Sequence, residues 1–328
     1  MDTLRGLVLK SLLAVIPAMA TCGFLSAASA QVNIRVGHGS AAEETLWLMK
    51  ADPKVTPSQG KAYKLDFTLF RGTDKRFQAF EAGELDIATG SSHSVLMAAS
   101  EGARFKIVAT LSREGASGFS TRYMVKADSP IRSIADLKGR NVGINGARSS
   151  SELWARLALE KKGLDTRKDV SWIALPFPSQ GEAVRAGKLD VGAFPQPFAA
   201  FEEKRGGLRT LFTSQDGVTR DEDLMVLLVT EKFAREQPAA LRAFLADLVQ
   251  ATRHYVNQPK EARQALVSSK MVGIPLDVFL DMKDYERPLD ARVDVESFRA
   301  MVADLNRFGF ITKPVNPAAI IDNSFLPR

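Results

Sequence analysis

Residues 82–87 read Ala-Gly-Glu-Leu-Asp-Ile, and residues 186–191 repeat the pattern as Ala-Gly-Lys-Leu-Asp-Val. Each copy is typical of a helix that ends at a glycine and is followed at once by a short buried strand. A spacing of roughly 100 residues is too long for a solenoid repeat, but it fits two lobes of similar construction. The alternative is coincidence, because glycine between a helix and a strand is common.

The segments around these two copies alternate between strand and helix patterns. Alternating apolar residues predict strands at 32–36 and 63–70. Serine-to-glutamate spacings that begin at Ser40 and Ser149 predict two helix starts. Such alternation favours largely parallel sheets covered on both faces, in which ligands bind beyond the carboxyl ends of the strands. We therefore predict an α/β fold of two lobes, with a ligand site formed by loops that follow strands.

The N-terminus has the parts of a secretory signal peptide. Arg5 and Lys10 precede an uncharged apolar stretch at 11–28, and an Ala-Ser-Ala motif closes it. We predict that residues 1–30 are a signal peptide, cleaved after Ala30, and that the protein is exported to the periplasm. The alternative is an N-terminal membrane anchor, for which the stretch is only just long enough.

Length, charge and cysteine use narrow the function classes. The chain has 328 residues and a formal net charge of +6, and its length allows two medium lobes or one large domain. No dense run of lysine and arginine indicates a nucleic-acid surface. The basic excess favours anionic ligands through long-range steering, or it is an ordinary charged surface. The single cysteine, Cys22, lies in the predicted leader, which excludes disulfides and thiol catalysis from the mature chain.

Common enzyme and metal motifs are missing from the sequence. It contains neither His-Glu-x-x-His nor Gly-x-Ser-x-Gly, and residues 181–188 resemble a phosphate-binding loop only superficially. His38 and His93 stand without nearby acidic residues or further histidines, so they do not predict a metal site. We predict no catalytic residue, no metal and no cofactor.

Four loops that follow predicted strands carry polar groups suited to an anion, namely 37–40, 90–93, 145–150 and 194–197. Glycines allow close backbone approach, and the amides at a helix N-terminus favour negative charge. Arg148 can grip a carboxylate or sulfonate with paired hydrogen bonds. The alternatives are that the serines only cap helices and that Arg148 is a solvated surface side chain. The candidate ligand-binding residues are His38, Gly39, Ser40, Ser91, Ser92, His93, Arg148, Ser149, Pro195 and Gln196.

Three segments resemble a known family. They are Phe80-Glu81-Ala82-Gly83-Glu84-Leu85-Asp86-Ile87-Ala88, Ile134-Ala135-Asp136-Leu137-Lys138-Gly139-Arg140-Asn141-Val142-Gly143 and Ala186-Gly187-Lys188-Leu189-Asp190-Val191. In these segments the chain resembles the periplasmic substrate-binding proteins of ABC importers for nitrate, sulfonate and taurine, the NMT1-like group. The resemblance implies a type II periplasmic-binding-protein fold with a ligand cleft. Lobe one would comprise residues 32–122 plus 225–328, and lobe two residues 123–224.

The same resemblance implies a function and a set of partners. The protein would capture a small, anionic organic molecule, such as a sulfonate, taurine, nitrate or a carboxylate, and would not be an enzyme. Its partners would be ABC permease and ATPase subunits, and it would act as a monomer. The family's pocket loops map onto the loops chosen above, although Gln196-Pro197 stands where many relatives carry Glu-Pro. The alternatives are a periplasmic ligand sensor and an exported enzyme on the same fold.

Overall fold

The computed structural model describes residues 31–70 and 72–328. The predicted signal peptide therefore lies outside the described residues. Among the residues that are described, no helix is both long enough and apolar enough to cross a membrane.

The first sheet has five strands. They are β1 (Val32–His38), β2 (Tyr63–Leu69), β3 (Ile87–Ser91), β4 (Lys106–Glu114) and β10 (Glu222–Val229). Their order is β2-β1-β3-β10-β4, and β1 runs parallel to both β2 and β3. β10 runs antiparallel to β3 and β4 and is buried along its whole length. This explains why its sequence reads as an apolar run rather than an alternation.

The second group of strands repeats this arrangement. It consists of β5 (Arg122–Lys126), β6 (Arg140–Ile144), β7 (Val170–Ala174), β8 (Gly192–Phe194) and β9 (Leu208–Thr213). β6 and β7 are parallel, and β5 runs antiparallel to β8 and β9. A parallel bridge between Val142 and Val191 joins β6 to the start of β8. The resulting order, β7-β6-β8-β5-β9, matches that of the first sheet.

Helices cover the strands of both groups. Their bounds are α1 (Glu44–Ala51), α2 (Thr73–Glu81), α3 (Ser92–Glu101), α4 (Ser150–Lys161), α5 (Phe177–Arg185), α6 (Phe198–Arg205), α7 (Ser214–Gly217), α8 (Glu231–Glu236), α9 (Pro238–Asn257), α10 (Pro259–Ser268), α11 (Leu276–Asp281), α12 (Val295–Arg307) and α13 (Pro317–Ile320). Short 3-10 helices lie at Pro53–Val55, Ile134–Leu137 and Asn323–Phe325. The division into lobes at the predicted residue boundaries stays a prediction.

The repeated sequence pattern forms the same local structure twice. Gly83 follows the end of α2 with φ of 75°, and Gly187 follows the end of α5 with φ of 72°. Both angles fall in the left-handed region that glycine adopts without strain. Asp86 then accepts a hydrogen bond from the backbone N–H of Arg35 (3.0 Å), and Asp190 from that of Asn141 (2.8 Å). Each aspartate thereby fixes its helix–turn–strand unit to the neighbouring parallel strand.

One predicted helix start is wrong. The spacing from Ser40 to Glu43 predicts a capped helix beginning at Ser40, but α1 begins at Glu44 and no side chain caps it. The Glu43 carboxylate accepts instead from the backbone N–H of Gly39, at 3.0 and 3.1 Å from its two oxygens. This bond holds the loop after β1 in an irregular conformation, which places residues 39–43 beside a cavity.

Candidate ligand-binding site

A cavity of about 580 Å³ lies at the carboxyl ends of the parallel strands of both groups. Its walls come from the loops that follow β1, β2, β3, β6, β7 and β8. Ligand sites of small-molecule binding proteins typically fall between about 300 and 1,000 Å³. The cavity therefore has the size and the position expected of a site for a small molecule.

Hydroxyl groups form much of its polar lining, and they are Ser40, Thr73, Ser91, Ser94, Thr121, Ser149, Ser150, Ser151 and Ser179. Several are fixed by neighbours. Ser91 caps α3 by accepting from Ser94 N, and Ser149 caps α4 by accepting from Glu152 N. The hydroxyl of Ser150 lies 2.9 Å from Nδ1 of His93. Ser91 donates its own proton to the Ser94 hydroxyl (2.9 Å), which leaves the Ser94 hydroxyl as a donor for a ligand. Hydroxyls held in this way lose little side-chain entropy when a ligand binds.

Apolar side chains provide the other walls, and they are Ala41, Ala42, Leu69, Phe70, Trp154, Pro176, Phe177, Pro178, Pro195, Leu224 and Met225. Phe70 follows β2, whereas Phe177 opens α5 in the second group of strands. A ligand between them would be in contact with both groups. The combination of hydroxyls and apolar walls suits a molecule with a polar head and an apolar remainder.

One buried ion pair adjoins the cavity. Arg76, on α2, is only 4% exposed and lines the cavity together with Glu43. Its Nη1 lies 3.9 Å from Oε1 of Glu43, which is beyond hydrogen-bond distance. Burial lowers the pKa of Arg76, although the nearby Glu43 opposes that change. Burial likewise raises the pKa of Glu43.

The predicted site residues divide into two groups. Gly39, Ser40, Ser91, Ser149 and Pro195 line the cavity. The remaining five do not lie in its lining, namely His38, Ser92, His93, Arg148 and Gln196.

The two histidines are buried beside the cavity and bond to residues that line it. His38 donates from Nδ1 to the carbonyl oxygen of Gly39 (2.9 Å), and Nδ1 of His93 lies 2.9 Å from the hydroxyl of Ser150. Burial lowers the pKa of His38 to about 4 and that of His93 to about 3. Both imidazoles are therefore neutral near pH 7. The 3.6 Å approach of His93 Nε2 to Glu222 is for this reason not a salt bridge.

The structure does not place Arg148 in the cavity. Its Nη1 donates to Glu101 (2.8 Å), and its Nη2 donates to the carbonyl oxygen of Phe310. Arg148 has a positive φ of 58°, and its backbone N–H is held by Glu152. The side chain consequently extends towards the C-terminal segment, which the local sequence pattern could not reveal.

Ser92 and Gln196 have structural partners. Ser92 donates to the carbonyl oxygen of Asp223 (2.6 Å) on β10. Gln196 donates to the carbonyl oxygen of Lys283 (2.9 Å) and accepts from Ala200 N (3.1 Å). These bonds fix α3 and α6 in place. The Ser92 hydroxyl and the Gln196 amide therefore do not face the cavity.

Arg76 and Glu43 are two lining residues that were not predicted from the sequence. A signal for Arg76 was present, because Arg76, Ala79 and Phe80 share the buried face of α2 at helical spacing. A charged residue on an otherwise apolar helix face is rarely buried without a partner or a function. Glu43 instead read as part of a capping pattern.

The sequence matches a protein-family model. The model is described as NMT1/THI5 like, and it matches residues 63–262. The chain belongs to the NMT1/THI5-like family. The family predicted from the three sequence segments is thus confirmed.

Sequence relatives carry two kinds of name. A protein of Escherichia coli strain K12 named as an aliphatic sulfonates-binding protein is 24% identical over 245 residues, which cover 74% of each chain. A Haemophilus influenzae protein named as a thiamine biosynthesis protein is 28% identical over 202 residues, or 58% of this chain and 61% of that one.

Several proteins of known structure share the fold of this NMT1/THI5-like chain. The alkanesulfonate-binding protein SsuA of Xanthomonas axonopodis pv. citri, bound to MOPS, superposes with a TM-score of 0.73 at 20% identity, covering 89% of this chain and 98% of its own. The nitrate-binding protein NrtA of Synechocystis PCC 6803 gives 0.70 at 13% identity, covering 90% and 87%. The predicted periplasmic-binding-protein fold is therefore confirmed.

Proposed function

We propose that this protein is an exported solute-binding protein that captures a small organic anion and delivers it to an ABC importer. The observation that carries the proposal is the cavity itself, in which loops from two similar groups of strands surround fixed hydroxyls and a buried guanidinium. Membership of the NMT1/THI5-like family supports the same function.

The lining favours an acidic head group attached to a short apolar remainder. Serine hydroxyls and Arg76 would receive the head group, and Phe70 and Phe177 would contact the remainder. Alkanesulfonates fit this description, and they appear in the names of two of the similar proteins. A third similar protein is named for nitrate. Nitrate has no apolar part, so it would leave the apolar walls without a contact.

Binding of the ligand would close two lobes of the protein around the cavity. We place lobe one at 32–122 plus 225–328 and lobe two at 123–224, with the cavity between them. A ligand that contacts both Phe70 and Phe177 favours the closed arrangement by binding it more tightly than the open one. The permease and ATPase would be separate chains, and the binding protein would act as a periplasmic monomer after cleavage at Ala30.

The proposal assigns no catalysis to the cavity. Because one relative is named for thiamine biosynthesis, an exported enzyme is the alternative to exclude. Recovery of the bound ligand unchanged after prolonged incubation supports a binding protein. Conversion of the ligand by the purified protein would support the enzyme.

A thermal-shift screen tests the proposal. Purified protein, freed of copurified ligand by unfolding and refolding, is screened against alkanesulfonates, nitrate, carboxylates and neutral pyrimidines. A ligand present at 100 times its dissociation constant adds about 2.7 kcal/mol to the free energy of unfolding. We expect stabilisation by an alkanesulfonate. Stabilisation only by neutral compounds would overturn the assignment of an anionic ligand.

A further inference from the structure

We propose that Arg76 binds the anionic group of the ligand and that Glu43 limits the site to ligands that carry one negative charge there. This inference rests on the proposed function and names the residues that would set its specificity.

The Arg76 guanidinium has unused hydrogen-bonding capacity. Its Nε is buried and has no hydrogen-bond partner among the described residues. The nearest carboxylate oxygen, Oε1 of Glu43, is 3.9 Å from Nη1. Buried polar groups without a partner are uncommon in native proteins and carry a desolvation penalty. A ligand oxygen that reached this guanidinium would remove that penalty.

Glu43 is held in place by other donors. Both of its oxygens accept from the backbone N–H of Gly39, and Oε1 also accepts from the Thr89 hydroxyl at 2.8 Å. These bonds fix the carboxylate at its distance from the guanidinium. Arg76 consequently keeps donors for a ligand, while Glu43 reduces the positive charge that the ligand meets.

Gly39 leaves room beside the guanidinium. A Cβ atom at this position would lie 2.6 Å from Nη1 of Arg76 and 2.8 Å from Oε1 of Glu43. Gly39 and Arg76 both line the cavity. The absence of a side chain at residue 39 therefore gives a ligand access to the ion pair.

The charge of the lining is small. Among the described lining residues, Arg76 is the only arginine or lysine and Glu43 the only acid. The pair carries at most one net positive charge, whichever protonation state Glu43 adopts. One negative charge on the ligand can be compensated there, whereas a second would lie close to Glu43, and the described lining residues offer no further arginine or lysine.

Calorimetric titration of purified variants tests the assignment of Arg76. Arg76→Gln is expected to bind ethanesulfonate at least roughly tenfold more weakly, because it loses a charged hydrogen-bond donor. Glu43→Gln is expected to bind it several-fold more tightly. Arg148→Gln is the matched control and should bind like the wild type. Equal affinity of the wild type and Arg76→Gln would overturn the assignment.

A ligand comparison tests the charge limit without altering the protein. The wild type is expected to bind ethane-1,2-disulfonate at least roughly tenfold more weakly than ethanesulfonate. Equal or tighter binding of the dianion would overturn the charge limit, even if Arg76→Gln failed to fold. Failure of the wild type to bind any singly charged anion would instead refute the proposed function.

Discussion

Glu114 is a buried carboxyl that connects the two groups of strands. It ends β4, and it accepts hydrogen bonds from the N–H and hydroxyl of Thr121 and from the hydroxyl of Ser214. Thr121 lies just before β5, and Ser214 lies just after β9. The carboxyl therefore contacts both segments in which the chain passes from one group of strands to the other. Burial raises its pKa to about 7 despite these donors.

This raised pKa makes stability depend on pH. The native state binds the Glu114 proton more tightly than the unfolded chain, whose glutamate pKa is about 4.5. The stabilisation is fully present below about pH 4.5 and is lost as pH rises to about 7, a change on the order of 3 kcal/mol. We expect Glu114→Gln to gain stability relative to wild type over this window, as measured by denaturant unfolding at several pH values.

The exposed Glu84 provides the matched control for this measurement. Glu84→Gln should track the wild type at every pH. A constant difference in unfolding free energy between Glu114→Gln and the wild type from pH 4.5 to 8 would contradict the assignment of a raised pKa.

Residue roles were harder to predict than residue positions. Gly39 and Ser91 were predicted correctly to lie in strand-end loops, and both line the cavity. The role of Arg148 could not be predicted, because its partners Glu101 and Phe310 are distant in sequence. The burial of Arg76 likewise depends on packing of α2 against the sheet, which a pattern of residue types only suggests.

At the scale of elements, the N-termini of α3 and α4 bring capping serines to the cavity. Ser149 caps α4 and also lines the cavity, whereas Thr230 caps α8 away from it. We therefore propose two separable roles for a serine at such a position, one in helix stability and one in ligand binding.

Paired cap variants distinguish these roles. Ser149→Ala and Thr230→Ala should each lower the free energy of unfolding by about 1 kcal/mol, because each removes a helix cap. Only Ser149→Ala should also weaken ligand binding, as measured by calorimetric titration on the folded protein. Unchanged affinity in Ser149→Ala would restrict this serine to capping.

The elements that the sequence predicted best are those defined by local chemistry. Gly83 and Gly187 are both in the left-handed conformation, as a helix that ends at glycine requires. The start of α1 was predicted wrongly, since Glu43 bonds to Gly39 N instead of closing a capping box. The sequence alone does not show the bond between Glu43 and Gly39, because it depends on the conformation of the loop after β1.

For the whole molecule, we expect a change of shape on ligand binding. Phe70 and Phe177 both line the cavity, and they belong to different groups of strands. A ligand that contacts both favours the closed arrangement, so we expect the radius of gyration from small-angle X-ray scattering to fall when ethanesulfonate saturates the protein. Arg76→Gln at the same ligand concentration should show a smaller decrease. An unchanged radius in the saturated wild type would argue against closure.

The central claim is that a small organic anion binds in the cavity between the two groups of strands. A crystal structure of the protein grown with saturating ethanesulfonate tests it most directly. We predict the sulfonate group within hydrogen-bond distance of Arg76 and the ethyl group between Phe70 and Phe177. An empty cavity, or a ligand bound elsewhere on the protein, would contradict the account.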